Sequence, residues 1–170
     1  ALFAVDEKSA YRSYIPLESK SLQQVQDGFD TLIAEYTLHG HVVSHFVMDD
    51  ERVFNAMRQP LARKGINATV TPAGLHNKRC ERYWQTHLQR DRSVRADLAY
   101  ELPPYLEYHI AKWVVALSNA MPSKQTGRIT PFELFTKQRA VLPHFKFGQA
   151  GIFYSPRPDS DQRGEWGIFV

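Results

Sequence analysis

Within the first 71 residues, short extended apolar runs alternate with segments of helical period, and this order limits the possible folds more than any other feature of the chain. LFAV (2–5) and YRSYI (11–15) read as two short strands joined by the polar DEKS, and Pro16 closes the second. Ser21 is placed to cap a helix whose apolar positions Leu22, Val25, Phe29, Leu32, Ile33 and Tyr36 recur at a helical period, with Gly40 at its end. HVVSHFVM (41–48) reads as a third strand, Phe54, Met57 and Leu61 mark a short helix, and INATVT (66–71) reads as a fourth strand. An order of strand, strand, helix, strand, helix, strand predicts an α/β sheet with parallel members.

Downstream, PAGLHNK (72–78) has loop composition, and a long helix is expected from Cys80 towards Leu98 with Trp84, Leu88 and Leu98 inward. Pro103 and Pro104 interrupt it. A further helix is expected from Leu106 to about Asn119, with Leu106, His109, Ile110, Trp113 and Leu117 on its inner stripe. Thr130 before Pro131 predicts the start of a short helix, PFELF, and FKFGQAGIFYSP and GEWGIFV read as strands around the loop RPDSDQR.

The chain has 170 residues, which suits one domain, and its 43% hydrophobic and 23% charged residues are ordinary for a globular protein. No window approaches the roughly 20 apolar residues of a membrane span, so no membrane partner is expected. The single cysteine, Cys80, rules out an internal disulfide, and ALFAV lacks the basic flank of a signal peptide. An intracellular location follows as an expectation. The net charge of +3 is concentrated in one place, because residues 76–95 hold Lys78, Arg79, Arg82, Arg90, Arg92 and Arg95 against only Glu81 and Asp91. Beside Tyr83 and Trp84, such an excess suits either a phosphate-binding surface or a solvated helix face.

Asp49 ends the third strand with Asp50 and Glu51 directly after, and Glu81 lies in the basic helix 32 positions later. Carboxylates on rigid elements are the hard oxygen ligands that Mg²⁺ requires in phosphoryl transfer, whereas acids at strand and helix ends also serve as solvated or capping groups. Both readings stay open on spacing alone. His39, His41, His45 and His76 show no ligand spacing, and one cysteine cannot build a Cys₂His₂ or Cys₄ site, so no zinc is expected. Cys80 lies beside Arg79 and Arg82, a setting that lowers a thiol pKa, with a packed helix cysteine as the alternative. No GxxxxGK phosphate loop occurs.

The segments also follow one another in a recognisable order. AVDEKSAYRSYIPLESKS, then VMDD with Glu51 and NAMRQPLARKGI, then CERYWQTHL, ELPPYLEYHIAKWVVALSNAMPSK, TPFELFTKQ and LPHFKFGQAGIF resemble, in sequence order, the integrase catalytic core of copia-type long-terminal-repeat retrotransposon polyproteins. The resemblance implies an α/β, RNase H-like mixed sheet flanked by helices over residues 1–125, then a linker helix and the start of a small C-terminal β module over 126–170. It implies Asp49 as the second catalytic, metal-binding carboxylate, with Asp50 as the fallback, and Glu81 as the third. It implies Mg²⁺ or Mn²⁺ as cofactor, DNA as partner in an oligomer or larger nucleoprotein assembly, and a nuclear location.

The sequence departs from that family in three places. The family's first strand, which carries its first catalytic aspartate, has no counterpart before LFAV, and Asp6 matches a position where the family has no ligand. The glycine-rich turn after the second aspartate reads DDER here, and the Asn-Gly step before the glutamate reads HNKRC. A domesticated, catalytically silent relative that binds DNA or RNA, or serves as a scaffold, is the competing expectation.

Overall fold

The computed structural model describes residues 1–72, 78–142, 144–153 and 165–170. Strand β1 (Leu2–Val5) and strand β2 (Arg12–Ile15) form an antiparallel hairpin with Leu2 opposite Ile15 and Val5 opposite Arg12. Asp6 holds the turn between them, since one carboxylate oxygen accepts from the Ser9 N–H at 2.6 Å and from the Ser9 hydroxyl at 2.7 Å. Asp6 thus has a local structural role in an Asx-type turn.

Helix α1 (Leu22–Leu38) begins where expected, with the Ser21 side chain accepting from the Gln24 N–H. It buries Val25, Phe29 and Leu32. Strand β3 (His45–Met48) leads into helix α2 (Arg52–Arg63), which returns the chain to strand β4 (Asn67–Val70), parallel to β3. Positive-φ glycines, Gly40 at +76° and Gly65 at +73°, follow the two helices and release the chain from helical geometry. The third strand is half as long as the sequence suggests. The His41 N–H donates to the Tyr36 carbonyl at 2.9 Å and the His41 ring bonds the Phe135 carbonyl at 2.7 Å, so His41 is held by the end of α1 and a later helix instead of a ladder.

β1–β2 and β3–β4 are separate two-stranded sheets. One apolar core joins them, in which Leu2 and Met48 from the two sheets meet Val25, Phe29 and Leu32 of α1 and Met57 and Leu61 of α2. Each sheet has one edge whose hydrogen-bonding groups are turned away from its ladder. In β1, Asp6 bonds Tyr11, so by antiparallel alternation Ala4 and Leu2 bond β2 while the backbone groups of Phe3 and Val5 point the other way. In β3, the carbonyls of Ser44 and Met48 accept from β4 and its extension, which leaves the backbone groups of His45 and Val47 turned away from β4.

Helix α3 (Lys78–Ala96) packs on β1, and helix α4 (Glu107–Ala120), entered through a 3₁₀ turn at Pro104–Leu106, packs on β2 and α3. The inner stripe of α4 is rotated from the expected one. Ile110, Ala111, Val114, Val115, Ser118 and Asn119 are buried, while His109, Trp113 and Leu117 are only half-buried. Apolar residues surround this helix, so its pattern left the phase open. The Asn119 side chain, a polar group, decides it by bonding both backbone groups of Arg12, at 2.9 Å to the N–H and 2.8 Å to the carbonyl.

Helix α5 (Pro131–Thr136) starts on a capping box between Thr130 and Glu133 and buries Phe135 against the Tyr11 ring at 4.0 Å. Strands β5 (Ala150–Phe153) and β6 (Glu165–Ile168) form a terminal antiparallel hairpin. Trp113 of α4 meets Phe169 next to this hairpin at 5.4 Å. The loop expected at RPDSDQR and most of PAGLHNK, including His76, lie outside the described residues. Among the described residues no helix is long and apolar enough to cross a membrane.

Candidate metal and nucleic-acid site

The three acids after β3 have different surroundings. Asp50 accepts from the Asn55 amide at 2.7 Å, and Glu51 pairs with Lys20 at 3.0 Å. Asp49 is exposed, and among the described residues its carboxylate takes part in no hydrogen bond or ion pair. Its carbonyl accepts the Glu51 N–H at 2.8 Å, a tight turn that starts directly after the buried Met48. Of the three, Asp49 is therefore the acid held on a rigid stem with its oxygens uncommitted.

Glu81 is exposed in the first turn of α3. The neighbouring Cys80 records what lies opposite: burial, and after it the negative charge of Asp49, push the Cys80 thiol up. Two conclusions follow. The turn bearing Glu81 and the end of β3 bearing Asp49 lie within electrostatic reach of each other, and Cys80 is a half-buried helix cysteine whose thiolate is disfavoured. The lowered thiol pKa that the flanking arginines suggest does not occur, because both outweighing effects act on the anion. Among the described residues no three His, Cys, Asp or Glu side chains gather into a metal-binding group.

The six basic residues divide in two. Arg79 donates to the Glu7 carbonyl at 2.6 Å, Arg90 to the Ser118 hydroxyl at 2.6 Å, and Arg95 pairs with Asp91 at 2.6 Å and Glu107 at 3.6 Å. These three fasten α3 to the hairpin turn and to α4. Lys78, Arg82 and Arg92 are exposed and have no side-chain partner among the described residues. They are the cations of this helix available to a phosphate backbone.

Two polar residues that sequence reasoning passed over are buried between α3 and the first hairpin, Arg12 from β2 and His87 from α3 itself. Arg12 is only 5% exposed, with its guanidinium over the Tyr83 ring at 4.7 Å and its Nε and Nη1 buried without hydrogen-bond partners. Burial and the positive charge of Arg90 hold its pKa down to about 10. His87 is 2% exposed among Trp84, Phe3 and Tyr14, and its Nδ1 has no partner. Burial keeps His87 below the usual histidine range. The available signal was spacing, since His87 falls three positions after Trp84 on the inner stripe.

α3 packs on β1 and α4 on β2, and the Cys80 turn of α3 feels the charge of Asp49.

This arrangement of a hairpin, a helix-linked parallel pair and two covering helices defines a class of fold. No family model matches the chain, and no curated protein does. Solved structures do. The catalytic core domain of BIV integrase is similar with a TM-score of 0.59 and 20% identity, covering 79% of this chain and 84% of that one. A chain of the simian T-cell lymphotropic virus intasome, solved in complex with PP2A regulatory subunit B56 gamma, is similar with a TM-score of 0.63 and 15% identity. That match covers 98% of this chain and 60% of the other. The fold is that of the retroviral integrase catalytic cores, an α/β fold of small sheets flanked by helices.

Proposed function

We propose that the chain is the integrase catalytic core of a copia-type retrotransposon polyprotein, which joins element DNA to target DNA by Mg²⁺- or Mn²⁺-dependent transesterification in an oligomeric nucleoprotein assembly in the nucleus. The observation that supports this reading is the likeness of the fold to solved integrase catalytic cores, together with an uncommitted Asp49 at the end of β3 and an exposed Glu81 in the first turn of α3. Asp49 and Glu81 suit a hard divalent ion in kind, and supply two carboxylates. When bound, such an ion polarises phosphoryl oxygens and activates the attacking hydroxyl. A third carboxylate is expected on an extended segment that pairs with both sheets, bonding the backbone groups of Phe3 and Val5 in β1 and of His45 and Val47 in β3 that are turned away from their own ladders. Lys78, Arg82 and Arg92 hold the DNA backbone near these acids, and Arg79, Arg90 and Arg95 keep the helix in place.

The test is strand transfer on labelled duplex DNA by the chain extended with about twenty preceding residues of its parent polyprotein, a length set by one strand and one turn. Asp49→Asn and Glu81→Gln are each expected to abolish the joined product, and undiminished product from either variant would overturn the assignment. Binding to duplex DNA should weaken with salt at a slope of about 0.9 per neutralised phosphate, and Arg82→Ala or Arg92→Ala should each lower that slope.

A second reading, a catalytically silent relative that binds DNA or RNA or acts as a scaffold, is favoured by the finding that no three acidic, histidine or cysteine side chains gather into a metal-binding group among the described residues. Salt-dependent binding without strand transfer by the extended chain would select it.

A further inference from the structure

The segment between α3 and α4 has no part in the site above. It reads Glu101-Leu102-Pro103-Pro104-Tyr105-Leu106, and adjacent prolines followed by a tyrosine are the elements that aromatic-lined grooves of WW type bind. Its conformation suits such a groove. Pro103 has φ −60° and ψ 140°, in the polyproline II region, so the chain arrives already extended and loses little entropy on docking. At Pro104 the backbone turns into the 3₁₀ helix, closed by the Leu106 N–H donating to the Pro103 carbonyl at 2.9 Å. Leu106 is thereby buried as the anchor, and Tyr105 is turned out with 77% of its surface exposed. Among the described residues the Tyr105 side chain is in no hydrogen bond, ring pair or cation contact, whereas Tyr11, Tyr14, Tyr36, Tyr83, Tyr100 and Tyr108 are each in at least one. Tyr105 is a large, rigid, amphipathic side chain held in water, which is how binding anchors are presented.

We propose that Leu102–Tyr105 is a docking motif for a WW-type module, with Pro103 clamped between the aromatic rings of the groove and Tyr105 in the adjoining pocket. An SH3 groove is disfavoured because the segment lacks a second proline three positions after either of the first two.

The experiment titrates the whole chain with a purified WW domain of the class that binds proline–tyrosine motifs, followed by fluorescence anisotropy. A copy of that domain with its clamp tryptophan changed to alanine serves as control. Saturable binding to the intact domain only, weakened at least about tenfold by Tyr105→Ala and by Pro103→Ala, is the expected result. Circular dichroism and thermal melting of Tyr105→Ala should match the parent, because this side chain is largely exposed. No binding by the parent chain, or equal binding by parent and Tyr105→Ala, would overturn the proposal.

Discussion

The two faces of the sheets are built on opposite principles. Towards α1 and α2 the strands present Leu2, Ala4, Ile15, Phe46 and Met48, and the buried residues that meet them are Val25, Phe29, Leu32, Met57 and Leu61. Towards α3 and α4 the same hairpin presents Phe3, Arg12 and Tyr14, and these meet His87, Tyr83, Trp84 and Asn119. The first face is held by burial of apolar area, with edge-on rings such as Phe29 against Phe46 at 5.0 Å filling it. The second holds a cation and an imidazole whose polar atoms are not all satisfied. Stability is thus concentrated on the α1 face. The face that carries the basic helix and Glu81 is the polar one.

The comparison is broken most severely on the apolar side. Phe29→Ala should cost about 3–5 kcal/mol, enough to unfold much of the protein, because a cavity would open where both sheets meet α1. Urea denaturation followed by circular dichroism measures this, and a cost below about 1 kcal/mol would mean that the two sheets share no core.

On the polar side the largest effect belongs to Asn119. Its amide satisfies the N–H and the carbonyl of one buried residue, so Asn119→Ala should cost about 2 kcal/mol or more by leaving both groups unpaired. Arg12→Met tests the opposite sign. Removing a poorly satisfied buried cation while keeping its volume should be neutral or stabilise the protein by about 1 kcal/mol in the same urea experiment. Clear destabilisation would mean that stacking on Tyr83 outweighs the cost of burying the charge.

The smallest effect is a pH dependence. His87 has its pKa lowered by burial, an effect that Asp91 opposes and Arg12 reinforces. The unfolded state then takes up a proton more readily than the folded one, so the stability contributed by neutral His87 is fully present above its unfolded pKa of about 6.5 and is lost as pH falls through the folded value. Thermal melting from pH 7.5 to pH 5 should show this loss, and His87→Gln should reduce it. An unchanged slope in that variant would assign the loss to other groups.

The features legible in the sequence were those with a local cause. The caps at Ser21 and Thr130, the proline break before α4 and the helical period of α1 depend on residues within a few positions of one another, and all appear in the structure. Ends set by distant partners were misjudged, as at His41, whose ring is claimed by the Phe135 carbonyl 94 positions away. The candidate site divides similarly. Asp49 and Glu81 stood out as acids at element ends, and the excess of basic residues was a matter of counting. Which of Asp49, Asp50 and Glu51 remains uncommitted was decided by Asn55 and Lys20, and which arginines remain free by Glu7, Ser118 and Glu107.

The sequence by itself determined the order of elements and the residue types at the site, because turn chemistry and hydrophobic period act over a few residues. Only the tertiary structure decided that the strands form separate pairs, that the inner stripe of α4 follows Asn119, and that Arg12 is buried. Each of these depends on which groups find a hydrogen-bond partner or a packing surface across the fold, and that competition is settled only when distant segments meet.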